Sequence, residues 1–297
     1  MPSVRTNGID LWYETTGDPA DPPLLLVMGL GEQLIAWPDG FCDALAARGF
    51  HVIRFDNRDT GRSTWLDDLG DPDVLALFGG DLSTARYRLA DMAADTAGLI
   101  EALGLGRTHV VGVSMGGMIA QQLAVDRPDL VAGLTSIMST TGDPSVGQST
   151  LGNPAELMPV PGATREAAIA ADVALFRTIG SPGFEVDEAE LARRAAAKFD
   201  RGHHPAGVVR QFAAIVASPD RTAGLRALEV PTVVIHGDAD RMIDVTGGRA
   251  TADAIPGAEL MVIPGMGHDL PEATWNRIAD AIAARSLQGG VDEVTGA

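Results

Sequence analysis

Short apolar runs and amphipathic segments alternate along most of the chain. Runs of consecutive apolar residues are typical of strands that are covered on both faces. These runs lie at 23–29, 51–55, 109–113, 134–138, 231–236 and 259–263. Segments with a helical period lie at about 38–48, 87–103 and 271–286, and an alternating segment typical of an edge strand lies at 9–16. The alternation predicts an α/β fold, with a mostly parallel central sheet and helices on both faces.

The alternation stops between about 139 and 219. This interval holds a stretch rich in Gly, Pro, Ser and Thr, followed by three alanine-rich helical patterns. The stretch is 142–161, and the patterns are 164–179, 187–199 and 206–217. Sites in parallel sheets collect at the carboxyl ends of the strands, and an insertion there lies over the site. We therefore predict a helical cap at 141–219 and a core formed by 1–140 and 220–297. Three helices packed on the flank of the sheet are the alternative.

A serine between two glycines follows the strand at 109–113 and begins a helical pattern. The segment reads Gly-Val-Ser-Met-Gly and covers 112–116. A tight strand-to-helix turn admits only small residues two positions before and two positions after the serine, and both are glycine here. The serine hydroxyl then lies at the tip of a strand, beside the positive end of a helix. This context predicts that Ser114 is a nucleophile, and a buried Gly-Ser turn is the alternative.

A serine nucleophile needs a base, and the base needs an acid that orients it. His268 lies in a glycine-rich loop just after the last predicted strand, at the edge of the sheet where Ser114 is expected. Asp238 and Asp240 follow the strand at 231–236, and two carboxylates so close in sequence cannot both point at one imidazole. We assign Asp240 to the histidine and Asp238 to backbone N–H groups of the turn. The order Ser, Asp, His along the chain is the one expected for this architecture.

A nucleophilic serine also requires backbone N–H groups directed at the carbonyl oxygen that gains charge during attack. The N–H of Met115, directly after the nucleophile, is one candidate. The loop after the strand at 23–29 is expected to supply the second, which we assign to the N–H of Leu30. Gly29 and Gly31 give this backbone the freedom to turn toward the serine. A simple strand-end turn is the alternative interpretation of the same residues.

Composition and charge exclude several other classes of protein. The chain has 297 residues, of which 45% are hydrophobic, enough for a large core in one domain with a subdomain. Its net charge of −18 argues against nucleic acid as a partner, because a phosphate backbone would be repelled. The single cysteine, Cys42, excludes an internal disulfide and is expected in the core. We find no signal-peptide pattern and no apolar run of membrane-spanning length, so we expect a cytoplasmic protein with no membrane partner. The sequence indicates no oligomeric state.

Three motifs together resemble those of the α/β-hydrolase superfamily. They are the elbow Gly-Val-Ser-Met-Gly at 112–116, the acid loop His-Gly-Asp-Ala-Asp at 236–240 and the histidine loop Gly-Met-Gly-His at 265–268. The resemblance covers the whole chain and implies the α/β-hydrolase fold, with a helical cap inserted after its sixth strand. It implies that Ser114, Asp240 and His268 form a catalytic triad. It also implies that Leu30 and Met115 supply the N–H groups of the oxyanion hole.

Within this superfamily the chain is similar to the aclacinomycin methylesterase group. The segments that carry the likeness are 18–22, 24–29, 37–38 and 51–64. Like that group, the chain has Met28-Gly29 where many relatives begin the oxyanion loop with His-Gly. Leu30 replaces a smaller residue that is expected in the closest relatives, and this change would narrow the acyl site. The cap agrees only in its pattern, so the resemblance does not imply a substrate.

These residues predict the hydrolysis of a carboxylic ester through an acyl-enzyme, with no metal and no organic cofactor. The expected partner is a small-molecule apolar ester, for example a methyl ester of a bulky apolar acid. Gly29, Leu175 and Phe212 are the expected substrate contacts. Dehalogenases and epoxide hydrolases carry an aspartate at the elbow, so Ser114 argues against both. Lactonase, carbon–carbon bond hydrolase and cofactor-free perhydrolase activities on the same triad are alternatives, as is a non-catalytic ligand-binding protein.

Overall fold

The computed structural model describes residues 2–152, 158–159 and 161–288. In these residues one sheet contains β1 (Ser3–Thr6), β2 (Ile9–Thr16), β3 (Pro23–Val27), β4 (His51–Phe55), β5 (Thr108–Val113), β6 (Val131–Ile137), β7 (Thr232–Gly237) and β8 (Glu259–Ile263). The strand order is β1-β2-β4-β3-β5-β6-β7-β8. The β1–β2 and β2–β4 pairs are antiparallel, and all other neighbours are parallel. The predicted mostly parallel sheet is confirmed.

Helices connect the parallel strands and follow the last one. They are α1 (Asp39–Ala46), α2 (Val74–Phe78), α3 (Leu89–Ala102), α4 (Met115–Asp126), α5 (Arg165–Ile179), α6 (Glu188–Gly202), α7 (Pro205–Ala217), α8 (Thr222–Leu225), α9 (Val245–Ala254) and α10 (Trp275–Gln288). The sequence did not predict β1, α2, α8 or α9. Two glycines in the first half of α9 weaken its helical pattern, but the Asp244 side chain caps it by accepting the Thr246 N–H.

The apolar run in β3 shows why the central strands lack polar positions. Alternate side chains of a strand point to opposite faces of the sheet. Leu25 and Val27 lie in one apolar cluster with residues of α3 and α4, whereas Leu24 and Leu26 lie in a second cluster with residues of α1 and α10. All four side chains have no exposed surface. The run is uniformly apolar because helices cover both faces of the sheet.

The predicted cap contains helices α5, α6 and α7, and it follows β6 as expected. Of their residues, α5 buries only Ile179 and α6 buries only Ala195. By contrast, α7 buries six residues, including Arg210 and Gln211. Residues 153–157 and 160 of the predicted cap, and 289–297 of the predicted core, lie outside the described residues. The division into a core and a cap stays a prediction.

Candidate active site

Ser114 lies in a tight turn between β5 and α4. Its φ of 53° is in the left-handed region, where a residue with a side chain is strained. A Cβ on Gly112 would lie 2.1 Å from the carbonyl oxygen of Gly116, and a Cβ on Gly116 would lie 2.1 Å from that of Val27. Both positions require glycine because α4 begins so close to β5 and β3. The turn therefore presents the serine side chain at the carboxyl edge of the sheet.

Hydrogen bonds to β6 and to the segment directly after it hold the backbone of this turn. The Ser114 N–H donates to the Ile137 carbonyl at 2.9 Å, which continues the β5–β6 ladder into the turn. The Ser139 hydroxyl donates to the Ser114 carbonyl at 2.8 Å. The same carbonyl accepts the N–H groups of Gly117 and Met118, in the first turn of α4. The strained conformation of Ser114 is thus fixed by its surroundings before any ligand arrives.

Three side chains that are distant in sequence form a chain of hydrogen bonds. Ser114 Oγ lies 2.9 Å from His268 Nε2, and His268 Nδ1 lies 2.7 Å from Asp240 Oδ2. A carboxylate can only accept, so Nδ1 carries the proton and, in the neutral ring, Nε2 accepts the Ser114 hydroxyl proton. His268 is 9% exposed and Asp240 is 4% exposed. The structure brings together the three residues that the sequence singled out as nucleophile, base and acid.

Asp240 uses both of its oxygens, which differs from the sequence-based assignment. Its Oδ1 accepts the N–H groups of Met242 and Ile243 at 2.9 and 3.0 Å, so Asp240 itself binds the N–H groups of its turn. Asp238, assigned to that turn from the sequence, is exposed and instead accepts the Gly265 N–H at 2.7 Å. The assignment of the turn to Asp238 is wrong, because the turn folds back over Asp240. Asp238 connects the acid loop to the histidine loop.

Electrostatics keep the Asp240 carboxyl ionised. Burial alone would raise its pKa, but the positive charge of His268 when protonated opposes this effect. Hydrogen bonds from His236, His268 and the Ile243 backbone act in the same direction, and the net pKa lies well below the ordinary value of an aspartate. The site therefore places a fixed negative charge behind the imidazole.

A second histidine, His236, lies beside the acid, and no role beyond its place in a strand was predicted for it. It is fully buried in β7, with Nε2 at 2.9 Å from the Ile243 carbonyl and 3.4 Å from Asp240 Oδ2. A Cβ on Gly248 would lie 2.4 Å from its Nδ1, so α9 packs directly on this ring. The signal that could have revealed it is its position four residues before Asp240, across a tight turn.

The loop after β3 lies against the serine. A Cβ on Gly29 would lie 3.3 Å from Ser114 Cβ, so the backbone of this loop passes next to the nucleophile. Leu30 follows at the border of the neighbouring cavity. Met115 is the first residue of α4, and its side chain is buried. The assignment of the Leu30 and Met115 N–H groups to an oxyanion hole stays a prediction.

A cavity of about 770 Å³ opens beside Ser114 and His268. Its lining includes the expected substrate contacts Gly29 in the loop after β3, Leu175 in α5 and Phe212 in α7. Residues of the predicted core and of the predicted cap thus line the same cavity. The wall is largely apolar, which suits an apolar ligand.

A cluster of three charged residues forms part of the wall of this cavity. Lys198 in α6 forms ion pairs with Glu32, in the loop after β3, and with Asp172 in α5, the latter at 2.7 Å. Burial raises the pKa of the Glu32 carboxyl, and the charge of Lys198 opposes this effect. All three residues line the cavity. These three residues were not predicted to form a site, because no local pattern relates three positions so far apart in the chain.

The histidine loop is attached to the end of α5. The His268 N–H donates to the Ile179 carbonyl at 2.7 Å, and the Gly267 N–H donates to Ser181 Oγ at 2.8 Å. The Ser181 hydroxyl in turn donates to the Asp269 carboxylate. The segment after α5 therefore helps to position the loop that carries His268.

Other reactive or binding groups are few in the described part of the chain. Cys42 is buried in α1, and burial raises the pKa of its thiol to about 11, so it carries no thiolate at neutral pH. Within 2–152, 158–159 and 161–288, no group of three His, Cys, Asp or Glu side chains is arranged to hold a metal ion. Among the helices of these residues, none combines the length and the apolar character that a membrane crossing needs.

Several known proteins are similar to this chain in sequence. Residues 22–272 match the family described as alpha/beta hydrolase fold. The rhodomycin D methylesterase DauP of Streptomyces sp. (strain C5) is 32% identical, over 95% of this chain and 97% of that protein. The rhodomycin D methylesterase DnrP of Streptomyces peucetius is 31% identical, over the same shares of the two chains.

A solved structure extends the comparison to the fold. The enol-lactonase from Burkholderia xenovorans LB400 superposes with a TM-score of 0.73, at 21% identity, over 97% of this chain and 99% of that one. At this identity the likeness concerns the fold alone. The family match and the two methylesterases cover nearly the whole core and the cavity-lining helices. This chain therefore belongs to the α/β-hydrolase family.

Proposed function

We propose that this protein is a serine esterase that hydrolyses a carboxylic ester through an acyl-enzyme. Its class as a carboxylic ester hydrolase follows from its family and from the named methylesterases among its relatives. The observation that carries the mechanism is the continuous contact from Ser114 Oγ through His268 to Asp240, at 2.9 and 2.7 Å. A nucleophile, a base and an orienting acid at these distances are what acyl transfer to a serine needs.

In the first half of the reaction, Ser114 Oγ attacks the ester carbonyl carbon while His268 Nε2 takes the hydroxyl proton. The carbonyl oxygen becomes an oxyanion, which the N–H groups of Leu30 and Met115 stabilise. Collapse of this tetrahedral intermediate breaks the bond to the alcohol oxygen, and His268 returns the proton to the leaving alcohol. In the second half, His268 activates a water that attacks the acyl-enzyme, releasing the acid and restoring Ser114.

The low pKa of Asp240 supports this cycle. In both halves His268 carries a positive charge in the transition state, and the ionised carboxylate at 2.7 Å stabilises that charge. The two backbone N–H groups on Asp240 Oδ1 hold the carboxylate so that Oδ2 faces the imidazole. The acid is thereby oriented as well as charged.

The proposed substrate is the methyl ester of a bulky apolar acid. The two relatives named as methylesterases motivate the choice of a small leaving alcohol. The cavity of about 770 Å³, with Leu175 and Phe212 in its wall, has the size and the apolar lining that a large acyl group needs. A screen of methyl, aryl and lactone esters with varied acyl size tests this choice. Preference for small acyl groups, or for lactones over methyl esters, would contradict it.

The change Ser114→Ala tests the mechanism. Alanine fits the turn and removes only the attacking oxygen, so we expect esterase activity to fall by many powers of ten with the fold intact by circular dichroism. Labelling by a fluorophosphonate probe should disappear at the same time. Ser145→Ala, at an exposed turn, serves as the control and should keep both activity and labelling. More than a few per cent of wild-type turnover in Ser114→Ala, with contamination excluded, would refute the assignment.

A further inference from the structure

The Gln211 side chain joins helix α7 to two loops at the active edge of the sheet. Its Oε1 accepts the Gly31 N–H at 2.8 Å, in the loop after β3. Its Nε2 donates to the Arg58 carbonyl and to Thr60 Oγ1, both at 2.7 Å, in the loop after β4. The side chain has no exposed surface. A polar residue of the predicted cap is thus buried against the loop that the mechanism uses.

The partners of Gln211 allow only one orientation of its amide. The Gly31 N–H can only donate, and the Arg58 carbonyl can only accept. The oxygen of the amide must therefore face Gly31 and its nitrogen must face Arg58. A reversed amide would place two donors together at Gly31 and two acceptors together at the buried Arg58 carbonyl. The side chain consequently acts as a fixed spacer between the two loops.

Hydrogen bonds hold the peptide groups on both sides of Leu30. In a trans peptide, the C=O and the N–H point in opposite directions. The Glu32 N–H donates to the Gly29 carbonyl at 3.3 Å, which orients the peptide before Leu30. Gln211 binds the Gly31 N–H, which orients the peptide after Leu30. With both peptides held, the direction of the Leu30 N–H is fixed as well.

The loop needs this external support because its own residues restrain it poorly. Glycines at 29 and 31 lack the side chain that limits backbone rotation, and Gly31 has a φ of +67°. Val208 lies one turn before Gln211 on α7 and packs against Gly31. A Cβ on Gly31 would lie 2.9 Å from Val208 Cγ2. One face of α7 therefore supports this glycine by packing and by a hydrogen bond.

Helix α7 is itself firmly attached to the core. Arg210 is 1% exposed and binds both oxygens of the buried Asp59 carboxylate, at 3.0 and 2.8 Å. A Cβ on Gly207 would lie 2.2 Å from the Asp59 carbonyl oxygen, so the helix backbone rests on that loop. Gln211 thus projects from a fixed support, as a positioning group must.

We propose that Gln211 is a positioning residue for the oxyanion hole. By holding the Leu30–Gly31 peptide it restrains the adjoining Gly29–Leu30 peptide, so that the Leu30 N–H points at the oxygen of the tetrahedral intermediate. The inference rests on the proposed function, since it takes the Leu30 N–H as an oxyanion donor. It gives helix α7, in the predicted cap, a part in the chemical step besides its part in lining the cavity.

The change Gln211→Met tests this role, because methionine has a similar length and removes all three hydrogen bonds. Loss of an oxyanion donor lowers kcat by about a hundredfold to a thousandfold, so we expect misalignment to cost about tenfold to a hundredfold. The KM should stay within about threefold, because the donor acts on the transition state and not on the bound ester. Gln211→Glu keeps an acceptor for the Gly31 N–H and should retain more of kcat than Gln211→Met.

A transition-state analogue separates positioning from general loosening of the fold. A trifluoromethyl ketone bearing the acyl group of the best ester adds to Ser114 and places its oxygen in the oxyanion hole. Its inhibition constant should rise in Gln211→Met by the same factor as kcat/KM falls. The inhibition constant of the product acid should not change.

Ser218→Ala is the matched control. The Ser218 hydroxyl lies at the other end of α7, where it accepts the Leu89 N–H and donates to the Ala214 carbonyl. This variant should lose stability while keeping kcat and the affinity for the ketone. An equal fall of kcat in Ser218→Ala and Gln211→Met, or a raised KM with unchanged kcat in Gln211→Met, would overturn the positioning role.

A replacement variant and a labelling experiment cover the cases in which Gln211→Met does not fold or the proposed function is wrong. If Gln211→Met does not fold by circular dichroism, Gln211→Ala, which also removes all three hydrogen bonds, is measured in its place with the same criteria. Fluorophosphonate labelling of Ser114 in the wild-type protein reports on the proposed function independently. Absence of that labelling would overturn the proposed function, whereas labelling with no split between kcat and KM would overturn only the role of Gln211.

Discussion

The helix that follows Ser114 and the first two helices of the predicted cap are attached to the molecule in different ways. Nine of the twelve residues of α4 are buried. In α5 and in α6, only one residue of fifteen is buried in each helix. The first helix is held by apolar burial over most of its length. The other two helices are attached by a few hydrogen bonds and ion pairs.

The polar contacts of α5 and α6 lie where the proposed chemistry is. The end of α5 binds the backbone of His268. From the loop after β3, Gln33 Nε2 donates to the carbonyls of Lys198 and Gly202, at 2.8 and 2.9 Å. In α6, Arg201 pairs with the buried Asp56 at 2.7 Å. Apolar packing thus fixes the helix after Ser114, whereas directional bonds fix α5 and α6 relative to the loops of the candidate site.

Helix α7 combines both kinds of attachment. It belongs to the predicted cap by its place in the sequence, yet it buries six of its thirteen residues and carries the Arg210–Asp59 ion pair. The predicted cap therefore has a part held by separate polar contacts, α5 and α6, and a part that is more deeply buried against the core, α7. The predictions that follow test this division.

The largest effect is expected in the core, at the acid loop. Asp240→Asn should lower kcat by about four powers of ten, because the amide favours the wrong imidazole tautomer and cannot stabilise the imidazolium. Asp238→Asn makes the same chemical change two residues away. It weakens only the bond from the Gly265 N–H and should cost about 1 kcal/mol of stability, with kcat nearly unchanged.

Steady-state kinetics should be measured at a temperature where circular dichroism shows both variants folded. An inactive Asp238→Asn beside an active Asp240→Asn would reverse the assignment of the acid.

The second effect compares ion pairs in the two parts of the predicted cap. Arg210→Ala leaves the buried Asp59 carboxylate with only the Tyr87 hydroxyl and the Leu66 N–H as donors and removes its arginine partner, so it should lower the free energy of unfolding by about 3–5 kcal/mol. Arg165→Ala removes a pair with Asp200 that joins α5 to α6 and whose side chains are about half exposed. It should cost at most about 1 kcal/mol. Urea unfolding of both variants measures the difference. Equal losses would mean that α7 is no more firmly attached than α5 and α6.

The sequence was sufficient for the parts of the site that have a local pattern. The elbow glycines, the acid loop and the histidine loop are each visible within five residues, and the fold places their ends at one edge of the sheet. The family and the fold were correctly predicted from these patterns. Gln211, His236 and Lys198 were missed, because their partners lie on other elements and no spacing marks them. The double role of Asp240 was missed for a related reason, since it depends on how a turn folds back.

The third effect concerns pH and compares a core histidine with a histidine of the predicted cap. Burial lowers the pKa of His109 in β5 to about 4, whereas a histidine in the unfolded chain titrates near about 6.5. As the pH falls below the pKa of the unfolded state, His109 binds a proton in the unfolded chain but not in the folded protein. The free energy of unfolding therefore decreases until the pH reaches the pKa of the folded state. The loss attributable to His109 should be about 2 kcal/mol between pH 7 and about pH 5.

His109→Gln should remove this part of the pH dependence in urea unfolding experiments. His203, at the end of α6, is half-buried, and its pKa is lowered by partial burial and by the charge of Lys198. Its exposure reduces the contribution to stability, so His203→Gln should leave the pH dependence nearly as in the wild type. A steeper change for His203→Gln than for His109→Gln would contradict the contrast between the two regions.

The smallest effect is expected at the wall of the cavity. Leu175 in α5 lines the cavity, while Leu191 in α6 is half-buried and is not among the lining residues. Leu175→Phe narrows the space for the acyl group, so it should lower kcat/KM for bulky esters relative to small ones by about tenfold. Phe212→Leu, in α7, should shift the same ratio in the opposite direction. Leu191→Ala should change both rates little and equally. If all three variants changed the rates of large and small esters by the same factor, α5, α6 and α7 would only support the fold, and the selection of substrates would lie in the core.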